Sequence, residues 1–356
     1  MINLIWRSDV HLADQAPQSR KDDWRETMFE KLQQVGVIAG QERAAAVIDG
    51  GDLFHVKTPS RNAHLTNNRL MEIHGAYPCP TYGNVGNHDV KYGDLDYLKE
   101  SPLGGLFESG TFRRLYDEHE VFFGRAGPNH PRAHGRAFPY NSKSGGWLDG
   151  NPFPLKEKGD VIVRVVGIPY HGTKYDLNRL SAITKGKEDY LVIVAHMLAS
   201  PFGGTMFEKE DILRYSDLAN HDADVWCFGH WHKNQGIKRI TTGGKVVVNI
   251  GSLSRGSLSE DEVSRIPSVA VLRFDKDGID IEQVPLKVQP PEKVFDIEGR
   301  TRQESRQLSV GQFVDNLREA LVESDQKALV DEVREISALS DAVRERAILY
   351  LEETEE

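Results

Sequence analysis

Ala44-Ala45-Ala46-Val47-Ile48-Asp49-Gly50-Gly51-Asp52-Leu53-Phe54-His55 is the stretch on which the fold turns. Small and apolar residues run together as a short buried strand, then stop at a cluster of turn formers that ends in a carboxylate. The same arrangement recurs along the chain. Leu4-Ile5-Trp6 precedes Asp9-Val10-His11, and residues 81–85 precede Gly86-Asn87-His88-Asp89. Residues 191–195 precede His196, and residues 225–228 precede Gly229-His230-Trp231-His232. In open α/β sheets the loops at the carboxyl ends of strands line one edge, so motifs distant in sequence can converge there.

Between these runs lie helical patterns. Trp24, Met28, Leu32 and Val35 recur at helical spacing and predict a helix over 22–39, and a second is expected over 61–75. Further strands are expected at 161–168, 245–250, 269–274 and 279–284. Early strand–helix alternation followed by closely spaced strands predicts an α/β fold, a layered β-sandwich flanked by helices. Residues 124–159 hold 12 Gly or Pro and read as a long loop or insertion. Pro290-Pro291 suggests a boundary, giving a large domain over 1–290 and a small, mostly helical region over 291–356. There Ser309 and Gln312 fit a capping box. Val310, Phe313, Val314, Leu317 and Leu321 mark one apolar face, and Ala328, Leu329, Val333 and Ile336 a second.

Composition narrows the class. The chain has 356 residues, 39 % hydrophobic and 28 % charged, which reads as globular. No window approaches the ~20 apolar residues of a membrane span. The start, Met1-Ile2-Asn3-Leu4-Ile5-Trp6-Arg7, lacks the pattern of a signal peptide. Two cysteines, Cys79 and Cys227, exclude a disulfide framework, so a reducing, cytoplasmic setting is expected. Net charge is −10, of which residues 300–356 carry −6 (8 Lys/Arg against 14 Asp/Glu), leaving −4 for the rest. Two divalent cations would neutralise that remainder, so acidity does not exclude an anionic substrate.

The five loop motifs suit a pair of metal ions. Asp-x-His and His-x-His place alternate side chains on one side of an extended backbone. Carboxylate, imidazole and amide donors suit Mn²⁺, Fe or Zn²⁺ better than thiolate-loving ions. Two such ions ~3.5–4 Å apart need a bridging carboxylate, for which Asp52 is the natural candidate, and they activate water for in-line attack on phosphorus. One histidine after a strand is usually structural, and Gly-Asn-His-Asp alone is an ordinary turn. Five such motifs in order, each at a strand end, point to a site.

In order and type these motifs resemble those of the calcineurin-like metallophosphoesterases: Asp-x-His, Gly-Asp, Gly-Asn-His-Asp/Glu, His and Gly-His-x-His. Within that superfamily, Gly51-Asp52-Leu53-Phe54-His55-Val56-Lys57-Thr58-Pro59-Ser60-Arg61 resembles the second motif of the double-strand-break repair nucleases, called SbcD in bacteria. Val85 stands where Ser/Thr phosphatases of the superfamily carry an arginine, and Ala13 where the nucleases often carry glycine.

The resemblance implies a dinuclear, metal-dependent DNA exonuclease or endonuclease using two divalent ions, with Mn²⁺ the implied metal. Asp9, His11 and His232 would hold one ion, Asn87, His196 and His230 the other, and Asp52 would bridge. His88 would act on the scissile phosphate with Asp89 orienting its ring, and His55 would help place the DNA end. Lys57, Arg61 and Lys91 are candidates for contacts to the DNA backbone, and His171 lies where it could reach the cleft. Implied partners are DNA, an SMC-like coiled-coil ATPase of the SbcC type docking on the C-terminal helices, and a second copy of the chain; no membrane is implied. A small-molecule phosphodiesterase or phosphatase on the same scaffold is the alternative.

Overall fold

The computed structural model describes residues 1–58, 61–117, 119–124, 137–138, 140–141, 146–147, 161–206, 210–240, 244–297, 299, 326–336 and 340–352. Two compact units divide the chain, Met1–Phe295 and Asp296–Glu356.

Accompanied by a three-stranded and a two-stranded sheet, two large mixed sheets form the body of the first unit. One has six strands, in the order Gly278–Pro285, Ser268–Asp275, Ile2–Arg7, Ala46–Asp49, Thr81–Gly83, Phe112–Arg114. The other has seven, in the order Gly236–Arg239, Val246–Asn249, Val225–Gly229, Tyr190–His196, Val163–Ile168, Glu120–Phe123, Ala137–Phe138.

Period-two alternation builds the layers. Leu4, Trp6, Ala46, Ile48 and Leu272 of the first sheet share a core with Val163, Val192, Val194, Cys227 and Val248 of the second. Their neighbours Ile5, Val47 and Val271 point the other way, into a core with Trp24, Met28, Leu32, Leu70 and Leu103 from flanking helices. On the far side of the second sheet Leu191, Ile193 and Ala195 pack with Leu180, Leu218 and Trp226. Buried on both faces, the strands read as near-continuous apolar runs. The fold is the expected helix-flanked α/β sandwich.

The helix predicted over 22–39 is Trp24–Gln41, started by Asp23, whose side chain accepts the Glu26 N–H at 3.0 Å. The one predicted over 61–75 begins later, at His64, and its start is tied to a distant segment: the Asp14 carboxylate accepts from Ala63 N and Thr66 Oγ1. The Pro290-Pro291 break lies inside the first unit. Past it, the short helix Pro291–Val294 leads to Phe295, fully buried with the Arg20 guanidinium 5.0 Å above its ring.

In the second unit the helices Gln326–Glu335 and Asp341–Glu352 pack on each other. Val333 is buried there, while Val343 and Leu349 are exposed. The capped helix expected from Ser309 and nearly all of the Gly/Pro-rich stretch 124–159 lie outside the described residues. Among the described residues no helix is long and apolar enough to cross a membrane.

Candidate metal centre

Parallel register brings the strand ends together. Arg7 pairs with Asp49 and Asp49 with Gly83 in the first sheet, while His196 pairs with Gly229 in the second. The loops that follow therefore leave both sheets at one edge. They are tied to one another there. Asp9 N donates to Gly51 O at 3.1 Å and His11 N to Asp52 O at 2.9 Å. Across the sheets, His230 N donates to Asp9 Oδ1 at 3.0 Å, and His196 Nδ1 lies 2.8 Å from Gly50 O.

Such tight approach sets the residue types. A Cβ on Gly86 would collide with Asp52 Oδ1, and one on Gly51, at φ +100°, would collide with the Gly86 backbone nitrogen. Asp9, His11, Asp52 and His230 themselves have φ of 56°, 50°, 53° and 83°. Left-handed backbone costs an L-residue about 1–2 kcal/mol, and the cost is tolerated where surrounding structure imposes it.

Three donor groups result, Asp9, His11 and His232, then Asp52, His196 and His230, then His11, His55 and His88, each with ligand atoms within 4.8 Å of one another; the first two contain the expected ligands. Asn87 Oδ1 joins the second, 3.2 Å from His196 Nε2. Asp52 Oδ2 stands between the first two, 3.7 Å from His11 Nε2 and 3.4 Å from His196 Nε2. Every residue expected as a ligand is thus within this one cluster. Burial, then the adjacent His232, holds His11 well below the ordinary histidine range. Burial opposes the charge on His196 too, but the Asp52 carboxylate overrides it and lifts the imidazole to about 10. Burial alone would raise Asp52, yet His196 holds its carboxyl well below the usual range.

His88 and His55 lie against this cluster. Their rings stack with centroids 5.1 Å apart, and His55 Nδ1 is 3.4 Å from His11 Nδ1. Asp89 does not orient the His88 ring. The His88 Nδ1 partner is the His55 carbonyl at 3.0 Å. Fully buried, Asp89 instead accepts Asp52 N at 2.8 Å, Gly86 N at 2.9 Å and Phe54 N at 3.3 Å. The turn after Gly86 directs its carboxylate inward, toward backbone donors that have no strand partner. Burial and the charge of Asp52 push the Asp89 carboxyl well above its ordinary value.

The other candidates lie less centrally. Lys57 is half-buried, Arg61 is exposed, and Lys91 is paired with Glu100 at 3.4 Å. His171 is exposed, with Nδ1 3.3 Å from Arg179. Its neighbour Tyr170 is the one against the centre, its ring centroid 5.4 Å from that of His230. Consecutive residues in an extended segment face opposite ways, so the expectation that His171 reaches the cleft misses by one residue.

Sequence reasoning missed Glu210. Its carboxylate oxygens lie 3.0 and 3.1 Å from His230 Nε2, and Tyr175 Oη donates to Oε1 at 2.8 Å. Burial would raise the Glu210 carboxyl, but the bond to His230 holds it below its ordinary value. The residue sits in the charged run Glu208-Lys209-Glu210-Asp211, where no spacing distinguishes it.

The donor set fits divalent cations. It is carboxylate, imidazole and amide throughout, while Cys227 lies between the sheets and Cys79 packs beside the helix-side core. Asp9, His11 and His232 would hold one ion, Asn87, His196 and His230 the other, with Asp52 shared. Ions so held would supply Lewis-acid charge to a phosphoester and its attacking oxygen.

Several solved structures are similar at low identity. A dimetal phosphatase from Danio rerio is 12 % identical, with a TM-score of 0.46 over 80 % of this chain and 96 % of that one. GAP50, the anchor in the inner membrane complex of Plasmodium, is 12 % identical with a TM-score of 0.45, over 81 % and 90 %. TT1561 of Thermus thermophilus is 12 % identical with a TM-score of 0.39, over 79 % and 98 %. No curated protein sequence matches. The family description that does match, calcineurin-like phosphoesterase, spans residues 4–234, from the first strand through the last histidine of the cluster, and by that match the chain is a member of this family.

Proposed function

We propose that the chain is a Mn²⁺-dependent DNA nuclease of the SbcD type, hydrolysing phosphodiester bonds during the processing of DNA ends. The observation that carries this reading is the position of His55. The nuclease-type loop Gly51–Arg61 supplies it, and it is stacked on His88 beside the donor cluster, where a phosphodiester would enter.

In this reading His88 acts as the imidazolium: its Nδ1–H is held by the His55 carbonyl and its Nε2–H is given to the leaving oxygen, leaving a neutral ring protonated at Nδ1. Lys57 and Arg61 contact backbone phosphates, which positions DNA without reading its sequence. The test is hydrolysis of labelled single-stranded and duplex DNA against bis-nitrophenyl phosphate, with and without Mn²⁺. Turnover of DNA that needs the metal and exceeds that of the small diester supports the nuclease. The reverse preference supports a small-molecule phosphodiesterase or phosphatase. That second reading is favoured by one observation: Lys91, a candidate DNA contact, is engaged by Glu100.

The partner proposed for residues 296–356 is a coiled-coil ATPase of the SMC type. Amphipathic helices dock by an apolar face, and the apolar spacing read from the sequence of this region supplies the candidate stripes. Removing 300–356 is expected to leave Mn²⁺-dependent cleavage of single-stranded DNA largely intact and abolish co-purification with the ATPase. Unchanged binding by the truncated chain would place docking elsewhere.

A further inference from the structure

Each histidine of the centre has two ring nitrogens, and a metal takes one. What the other nitrogen does decides which is left. For His196 the answer is a backbone carbonyl, Gly50 O, 2.8 Å from Nδ1. For His230 it is a full carboxylate, Glu210, at 3.0 and 3.1 Å from Nε2.

We propose that Glu210 is a positioning residue for the half of the centre formed by Asp52, Asn87, His196 and His230: it takes the Nε2–H of His230 and so presents the Nδ1 lone pair to the cation. This rests on reading His230 as a ligand. Glu210 is only 7 % exposed, and its place is braced through Tyr175. Tyr175 Oη donates to Glu210 Oε1 at 2.8 Å, and the same hydroxyl accepts Leu198 N at 2.7 Å. Leu198 is two residues beyond His196, so the brace ties the carboxylate to the strand that delivers the neighbouring ligand. The backbone of Glu210 is fixed as well. Its strand, Glu210–Arg214, pairs antiparallel with Gly204–Met206 and parallel with Ala199–Ser200.

A carboxylate in this place does two things. It selects one tautomer of His230, and it makes the imidazole a more basic ligand than a carbonyl partner would. The two histidines of one half are thus oriented by partners of different charge. The small three-stranded sheet, which carries none of the five motifs, acquires a role: it delivers the carboxylate.

The test uses the full chain with Glu210→Ala, Glu210→Gln and Tyr175→Phe. Ring ¹⁵N resonances of His230 in the metal-free protein should report the Nε2–H tautomer in the wild type and a shift toward Nδ1–H in Glu210→Ala. Calorimetric Mn²⁺ titration should show one of two sites weakened ~10–100-fold in Glu210→Ala, the size usual for loss of such a partner, with Gln intermediate. Tyr175→Phe should weaken the same site by less. Unchanged tautomer and unchanged affinities would overturn the proposal. So would an equal loss at both sites with a lowered melting temperature, which is what a brace of the sheet alone would give. Should Ala fail to fold, Gln decides on the same readings. A wild-type chain that takes up one ion or none would instead overturn the reading of His230 as a ligand, a separate and recognisable failure.

Discussion

Asp89 holds Asp52 by its backbone: Asp89 Oδ2 accepts the Asp52 N–H at 2.8 Å, while Asp52 Oδ1 in turn accepts the His88 N–H at 2.8 Å. The two carboxylates have opposite duties. One faces the donor cluster, and the other fastens the turns that carry it.

Asp89→Ala is expected to act on the frame before the chemistry. It orphans three buried N–H groups, each costing about 1–3 kcal/mol when unsatisfied. Urea unfolding should show a loss of at least ~3 kcal/mol, and Mn²⁺ titration a weakening at both sites because Asp52 is shared. A variant of normal stability that keeps both ions and loses only turnover would restore Asp89 as the orienter of His88.

His88→Ala should leave the fold and two Mn²⁺ per chain while lowering turnover ~10²-fold or more, the range for loss of a general acid. His232→Ala should lose affinity for one ion instead. Metal content and single-turnover rates, measured together, separate the two, and the opposite pattern would exchange their roles.

Salt dependence reads out the phosphate contacts. The logarithm of DNA affinity should fall linearly with the logarithm of salt, and Arg61→Ala should reduce that slope by about one contact's worth, roughly 0.9 for duplex DNA. A slope unchanged by the substitution would remove Arg61 from the DNA path.

The two thiols should be silent in the native protein. Burial pushes Cys79 up to about 11 from its ordinary 9.0 and pushes Cys227 higher still. At about pH 8, below the ordinary thiol range, neither should react with a disulfide reagent until unfolding, when both should. Folding favours the neutral thiol, so stability is lost as pH rises past the unfolded value of 9.0 and the unfolded thiolates form. Rapid native-state labelling of Cys227 would contradict its burial between the sheets.

Much of the site was legible because each ligand motif sits immediately after a strand whose apolar run is continuous. Leu4–Trp6, Ala46–Ile48 and Val225–Phe228 announce the strand, and the sheet rule then says where its loop must go. What failed is what depends on side-chain direction and on partners from distant segments. Asp89 follows His88 directly, yet its carboxylate turns inward. Tyr170, not His171, lies by His230. Glu210 reaches His230 from a strand with no motif of its own, and Asp14 binds the start of a helix that begins far along the chain, at His64. No spacing in one sequence encodes these meetings.

Four donor positions with left-handed backbone also limit how this centre can evolve. At Asp9, His11, Asp52 and His230 the backbone admits Asn, Asp, His and Gly readily but resists β-branched replacements. Selection for folding alone should therefore enrich Gly at these positions, relieving about 1–2 kcal/mol of strain each. A lineage that loses its metal would be recognisable by those replacements, with the surrounding strands unchanged. A lineage that exchanges one metal for another can draw its new donors there from only a few side chains.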